Sequence, residues 1–256
     1  MEVIYLILFF VLGLCLGSFY HVVGYRLPRD ENIIKPKQSY CPECHHPLGI
    51  LDLIPVFSYV FHKGRCHYCH KKISISYPII ELITGLLFAL SFHLFGFSVD
   101  FGIALVLSSM LSIILVSDIQ YLIIPDSVTV IGFLCLLILR LVSSGIWDTL
   151  LGICSGVFMF CFMYLLMLLG NLLFRKESLG GADIKLMFVA GFLFGPFLSL
   201  CLIFISSLLA LPVAIGLYIG NKENKVPYGP FLMIGMLILH FSQIDVSTIL
   251  TLLKFY

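Results

Sequence analysis

Apolar residues fill most of the chain in long stretches that short polar segments interrupt. The stretches lie at about residues 3–23, 79–95, 101–117, 127–142, 149–174, 184–195, 197–219 and 228–241. Such stretches are typical of membrane-spanning helices, because about 20 helical residues cross a hydrocarbon core of roughly 30 Å. The pattern therefore predicts an all-α polytopic membrane protein with about eight transmembrane helices. The stretch at 184–195 rises only about 18 Å as a helix, so it is either a half-span or continues with a kink through Gly195 and Pro196.

Composition supports the same class. Of 256 residues, 60% are apolar and only 11% are charged, and the mean hydropathy is +1.09. Soluble domains carry about 25% charged residues, so an ordinary soluble domain is excluded. The net charge of +1 provides no basic field, and we therefore predict the lipid bilayer as a partner and no nucleic acid.

The few cations are placed unevenly. Eight of the 15 lysines and arginines lie within residues 25–77, and the positive-inside rule places that segment in the cytoplasm. If successive apolar stretches cross the membrane in opposite directions, only Arg140 and Lys254 lie on the outer side. We predict a first transmembrane helix over 1–24, a cytoplasmic loop domain over 25–77 and a transmembrane bundle over 78–256.

The predicted loop domain contains two C-x-x-C motifs, Cys41 with Cys44 and Cys66 with Cys69, separated by 21 residues. This spacing is typical of a four-thiolate zinc site, because each short turn presents two thiolates to one ion. A reducing cytosol favours metal over disulfides, although a redox pair or unrelated thiols are the alternative. We expect structural Zn²⁺ to hold together a small domain that has no core of its own.

Two aspartates lie at the ends of apolar stretches. Asp118 follows the third stretch, and Asp183 precedes the sixth, directly after Gly180, Gly181 and Ala182. Ionisable groups near membrane depth are costly and usually functional. Two carboxyl groups brought together share one proton and supply the acid and the base of aspartic peptide hydrolysis, and either can start as the base. The small residues before Asp183 are predicted to allow a close approach to a substrate or to the helix of the other aspartate.

Two further charged residues lie near these aspartates in the sequence. Lys185 is expected either to bias the ionisation of the aspartate pair, to contact lipid phosphate, or only to snorkel toward the interface. Asp126 follows Pro125 and precedes an apolar stretch, so we predict that it caps a helix. Taken alone, these residues leave two other functions open: a zinc-stabilised polytopic transporter that couples ions through intramembrane carboxylates, or a zinc-stabilised adaptor without chemistry.

Several segments resemble the motifs of the type IV prepilin peptidases, which are membrane aspartic proteases of the G-x-G-D class. The matching segments are Gly17-Ser18-Phe19 with Arg26-Leu27-Pro28, the paired C-x-x-C motifs, Tyr77-Pro78 with Glu81-Leu82, Asp118 with Ile124-Pro125-Asp126, Asp183-Ile184-Lys185-Leu186, and Pro227-Tyr228-Gly229-Pro230. The sequence departs from the family pattern at three positions. Ala182 replaces the second glycine, Gln120 replaces the second aspartate of D-x-D, and His21 replaces an asparagine.

The resemblance implies that Asp118 and Asp183 are catalytic. The enzyme would cut the basic leader from prepilins or pseudopilins, after a glycine and at the cytoplasmic face of the bacterial inner membrane, in the service of type IV pili, secretion or competence. Many members of the family also methylate the new N-terminus with S-adenosylmethionine, and the resemblance makes Glu43 and Glu81 the candidate methyltransferase residues. The residues at 120 and 21, with the compact length, resemble the competence branch of Gram-positive bacteria.

Overall fold

The computed structural model describes residues 1–33, 40–41, 43–175, 180–220, 226–244 and 246. Within these ranges the chain forms helices and no regular strand. The α-helices are α1 (Glu2–Arg26), α2 (Phe57–Phe61), α3 (Ser76–Phe95), α4 (Val99–Tyr121), α5 (Asp126–Phe174), α6 (Gly181–Ile219) and α7 (Gly229–Ser242).

Five of these helices, α1 and α3 to α6, are long and apolar enough to cross a membrane by length and composition, and α7 is a shorter apolar helix. Large apolar side chains cover the outer surface, and Ile7, Trp147 and Leu172 are each more than half exposed. Helices that are apolar on all sides suit a lipid environment. The structure is therefore consistent with the predicted all-α membrane protein.

The two longest helices each contain a break at a glycine. Gly145 in α5 has φ 77° and ψ −179°, and Gly195 in α6 has φ 77° and ψ 174°. Glycine adopts a positive φ without steric cost, whereas other residues rarely do. Each helix therefore consists of two segments, 126–144 and 146–174 in α5, and 181–194 and 196–219 in α6.

The break in α6 is capped from outside the helix. Nη1 of Arg140, in the first segment of α5, donates to the carbonyl of Phe192 and, at 3.2 Å, to the carbonyl of Leu193. The last carbonyls of a helix have no partner within it, so the guanidinium supplies the missing donors. The uncertain stretch at 184–195 thus begins at Gly181 and rises about 21 Å before the break at Gly195.

Polar and aromatic side chains hold neighbouring helices together in the interior. The hydroxyls of Thr84 in α3 and Ser112 in α4 hydrogen-bond at 2.8 Å in a fully buried position. Ser109 of α4 donates to the Tyr20 hydroxyl of α1 at 2.9 Å. The ring of Phe133 in α5 packs against Phe188 and Phe192 of α6 at centroid distances of 5.0 and 5.1 Å.

Several of the described helix termini gather at one end of the bundle, which we call the site end. They include the last turns of α1 and α4 and the first turns of α3, α5, α6 and α7. Side-chain contacts connect them across the end: His21 with Ser76 at 3.0 Å, Asp118 with Gly229 at 3.0 Å, and Asp126 with Lys185 at 2.5 Å. The loop with the four cysteines joins α1 to α3 at this same end.

Candidate active site

Asp118 lies in the last turn of α4 and is buried, with 6% of its surface exposed. Its Oδ2 accepts the backbone N–H of Gly229, the first residue of α7, at 3.0 Å. A negative charge is disfavoured at the C-terminal end of a helix. The N–H from α7 compensates for this, because a donor to a carboxylate stabilises the charged form.

Asp183 is the third residue of α6. Gly180 precedes the helix in an extended conformation, and its carbonyl accepts the N–H of Asp183 at 3.1 Å. The first turn of a helix favours a negative charge. The Asp183 carboxyl group is half-buried and interacts electrostatically with that of Asp118. The structure thus brings the two sequence-predicted aspartates together at the site end.

The three small residues before Asp183 differ in their surroundings. A Cβ at Gly180 would lie 3.0 Å from Oδ2 of Asp183, so the glycine leaves room for that carboxylate. A Cβ at Gly181 would meet nothing within 4 Å. Ala182 is half-buried and packs against the apolar core. Of these three residues, only Gly180 therefore has a steric role toward Asp183 that the contacts explain.

Gly229 is a site residue that sequence reasoning did not identify. A Cβ there would lie 2.5 Å from Cδ1 of Ile124 and 3.0 Å from Oδ2 of Asp118, so only glycine lets the backbone approach this carboxylate. The preceding Tyr228 donates its hydroxyl to the carbonyl of Ile203 in α6 at 3.2 Å. The available signal was the P-Y-G-P segment, which carried only a resemblance and no chemical role.

Lys185 pairs with a residue of the neighbouring helix. Its Nζ lies 2.5 Å from Oδ1 of Asp126, and both side chains are about half exposed or more. The prediction that Asp126 caps α5 is wrong, because Pro125, with φ −65° and ψ 129°, occupies the N-cap and Asp126 is the first helical residue. Lys185 and Asp126 also line an apolar pocket of about 420 Å³ between α5 and α6, together with Phe133 and Phe188.

The four cysteines of the loop converge. The four Sγ atoms all lie within 4.8 Å of one another, and those of Cys41 and Cys69 are 3.9 Å apart. The other two belong to Cys44 and Cys66. A tetrahedral ion with Zn–S bonds of about 2.3 Å separates its sulfurs by about 3.8 Å. The geometry of the thiols therefore fits a Cys₄ zinc site.

The surroundings of Cys41 suit a metal as well. Burial raises the pKa of the Cys41 thiol, but the backbone N–H groups of Cys44 and Glu43 and the thiols of Cys66 and Cys44 lower it to about 7 in total. A cation binds the thiolate and not the thiol. These donors favour the form that a zinc ion requires.

The described residues of the two cysteine turns share the same pattern of backbone hydrogen bonds. In each turn the N–H of the first cysteine donates to the carbonyl five residues later, and the carbonyl of this cysteine accepts the N–H four residues later. The residue four positions after the cysteine has a left-handed φ. The bonds are Cys41 N–H to His46 at 3.0 Å, His45 N–H to Cys41 at 2.9 Å, Cys66 N–H to Lys71 at 2.9 Å and His70 N–H to Cys66 at 3.0 Å. Both turns are therefore formed by local hydrogen bonds.

The two candidate methyltransferase residues have separate partners. Glu43 is exposed and forms an ion pair with Lys71. Glu81 is buried in α3, and its Oε2 accepts the N–H of Val56 at 2.7 Å. Both carboxylates thus have protein partners.

The described residues form a helical bundle that is apolar on its outer surface and carries two aspartates at one end, as expected of a membrane aspartic peptidase. Comparisons with known proteins identify the family. A model of the bacterial peptidase A24 N-terminal domain matches residues 11–95, and a model of the type IV leader peptidase family matches residues 105–215. The chain belongs to the type IV leader peptidase family, as the motifs predicted.

Curated relatives carry the name prepilin leader peptidase/N-methyltransferase. The chain is 35% identical to the protein of Bacillus subtilis strain 168, over 90% of this chain and 91% of the relative. It is 33% identical to the protein of Neisseria gonorrhoeae, over 88% and 86%, and 31% identical to that of Vibrio cholerae, over 94% and 98%. No solved structure matches. The transporter and adaptor alternatives find no support in these comparisons.

Proposed function

We propose that this chain is a membrane aspartic endopeptidase that removes the leader peptide of type IV prepilins or pseudopilins at the cytoplasmic face of the bacterial inner membrane. One observation supports the proposal: Asp118, held by the N–H of Gly229 at 3.0 Å, and Asp183 lie in helix turns at the same end of the bundle. The names of the relatives support the substrate class. The resemblance to the competence branch favours competence pseudopilins among the substrates.

The proposed reaction uses the two aspartates with a water between them. The ionised aspartate removes a proton from the water, whose oxygen attacks the scissile carbonyl, while the protonated aspartate donates a hydrogen bond to that carbonyl oxygen. The tetrahedral intermediate then collapses as a proton passes to the leaving amine. The proton belongs to the pair, so either Asp118 or Asp183 can begin as the base.

Single substitutions test this assignment. Asp118→Asn and Asp183→Asn should each abolish cleavage of a synthetic prepilin, while the protein accumulates in membranes as before. Asp126→Asn is a matched control at the same end of the bundle, and Asp100→Asn is a control at the opposite end; both should still cleave. Normal processing by either Asp118→Asn or Asp183→Asn would show that the dyad is wrongly assigned.

We extend the proposal to methylation of the new N-terminus, with S-adenosylmethionine as the methyl donor, on the strength of the relatives' names. Glu43 and Glu81 stay predicted participants, and no step is derived through them. Mass spectrometry of the product tests this directly. Glu43→Gln and Glu81→Gln should yield a product that is cleaved but lacks the added methyl group, and fully methylated product from both variants would remove these residues from the reaction.

We also propose eight membrane segments, with a first helix over 1–24, a cytoplasmic zinc domain over 25–77 that holds structural Zn²⁺, and the bundle over 78–256. The breaks at Gly145 and Gly195 support this count, because they divide α5 and α6 into two segments each. A reporter enzyme that is active only outside the cytoplasm should therefore be active when it is inserted at either glycine. An inactive reporter at both positions would contradict this topology.

A further inference from the structure

A second cluster of metal-binding side chains lies beside the four cysteines in the loop domain. It consists of Asp52, His62 and His67, and one donor atom from each lies within 4.8 Å of the other two. Asp52 comes from a short 3₁₀ turn, His62 follows the last residue of α2, and His67 belongs to the second cysteine turn. Three separate pieces of the loop therefore present two imidazoles and one carboxylate to a common point.

The separations within the cluster suit a shared ion. Nδ1 of His62 lies 3.4 Å from Nδ1 of His67, and Nε2 of His62 lies 3.6 Å from Oδ1 of Asp52. Both exceed the roughly 2.9 Å of a usual N–H···O bond. Because one ion binds only one nitrogen of His62, the 3.6 Å between Nε2 and Oδ1 of Asp52 is the distance to compare with the separation of about 3.4 Å between ligands of a tetrahedral ion with bonds of about 2.1 Å. A metal takes one nitrogen of His62, and rotation of His67, which is exposed, brings the third donor into place.

Asp52 is oriented by groups that do not themselves touch the common point. Its Oδ2 accepts the N–H of Gly49 at 3.0 Å and the hydroxyl of Tyr68 at 3.4 Å, which leaves Oδ1 directed at His62. The ring of Tyr68 packs in turn on His46 at a centroid distance of 3.6 Å. Carboxylates that bind metals are commonly held by hydrogen bonds of this kind.

The cluster also has an open side. A cavity of about 380 Å³ adjoins it, lined by Phe61, His62, Lys63, Cys66, His67 and His70. Three protein ligands with one position open to a small molecule are an arrangement that zinc accepts, and two imidazoles with one carboxylate favour a transition metal over Ca²⁺ or Mg²⁺. We propose that Asp52, His62 and His67 bind a second Zn²⁺, more weakly than the cysteines do, which fastens α2 to the second cysteine turn.

Zinc stoichiometry of the full chain in detergent tests this proposal independently of peptidase activity. Protein stripped of loosely bound metal is titrated with Zn²⁺ against a chromophoric chelator, and the zinc that remains bound after stripping is counted together with the zinc taken up. The wild type should bind two zinc ions per chain, one tight and one weak, and His62→Gln combined with His67→Gln should lose the weak one. His93→Gln, an exposed histidine at the opposite end of α3, should still bind two.

Saturation of the wild type at one zinc ion, or two ions of unchanged affinity in the double variant, would overturn the proposal. Cobalt replacing zinc at the cysteines gives a thiolate absorption band, and the double variant should retain this band as proof that its loop is folded. If the double variant loses the band, His67→Gln alone provides the test, because this side chain is exposed. It should then keep the thiolate band and lose the second ion.

Discussion

Replacing Gly229 by alanine perturbs the site through a single methyl group. The added Cβ would lie 2.5 Å from Cδ1 of Ile124, 3.0 Å from Oδ2 of Asp118 and 3.3 Å from Cγ2 of Ile114. The first two contacts are too short to persist together, so either the side chain of Ile124 must move or the first turn of α7 must retreat from α4. A retreat of this turn lengthens or breaks the 3.0 Å hydrogen bond from the Gly229 N–H to Asp118.

The size of the effect follows from that bond. A hydrogen bond to a charged group contributes about 1.5–3 kcal/mol, and each increment of about 1.36 kcal/mol corresponds to a factor of about ten in rate. We therefore expect the rate of leader cleavage to fall roughly 10- to 150-fold. The small end of the range applies if Ile124 yields to the new methyl group, and the large end applies if the bond is lost.

Gly235→Ala is the matched control on the same helix. Its Cβ would lie 2.5 Å from Cδ1 of Leu202 and 2.7 Å from Oγ of Ser206, so it causes a comparable clash without touching an aspartate. Initial rates with a synthetic prepilin and thermal unfolding midpoints are measured for both variants. Both should be less stable than the wild type, and only Gly229→Ala should lose the cleavage rate given above. Equal rates for the two variants would refute the role of the Gly229 N–H.

Three further outcomes are expected. Arg140→Met should lower the free energy of unfolding by about 2 kcal/mol, measured by denaturation in micelles, because the carbonyls at the break in α6 lose their donor; unchanged stability would contradict the cap. In a double-mutant cycle on the free energy of unfolding, Asp126→Asn and Lys185→Gln should show a coupling energy below about 1 kcal/mol, because the ion pair is largely exposed. A strong chelator, or Cys66→Ser, should make the loop between α1 and α3 sensitive to protease while the helical content of the bundle persists, and an equally resistant loop would argue against a structural metal.

Hydropathy alone recovers most of the helices, because the length of an apolar stretch determines where a membrane helix can run. The stretch predicted at 3–23 lies within α1, and those at 127–142 and 149–174 lie on either side of Gly145 in α5. The pattern could not show that α5 continues as helix almost to that glycine. The polar residues around position 145 are compatible with either a loop or a tight break, and only a positive φ distinguishes them.

The aspartates of the site are visible in the sequence because a carboxyl group among apolar residues is costly and is seldom kept there without a function. Their surroundings are less visible. The donor to Asp118 is a backbone N–H, which every residue except proline possesses, so only the lack of a side chain at Gly229 marks it. The contact between Lys185 and Asp126 depends on how α5 and α6 are rotated about their axes, and a hydropathy pattern does not record that rotation.

The position of both carboxyl groups at helix ends has a consequence for the supply of the second reactant. A protease that hydrolyses a peptide bond in the middle of the bilayer must conduct water through hydrocarbon, and usually does so along a polar channel. Here Asp118 stands in the last turn of α4 and Asp183 in the first turn of α6. In the proposed topology both therefore lie near the membrane surface, and water has only a short distance to cross to reach them. Access to the site is therefore determined mainly by the peptide substrate. Its backbone must be extended and free of hydrogen bonds at the point where it leaves the lipid.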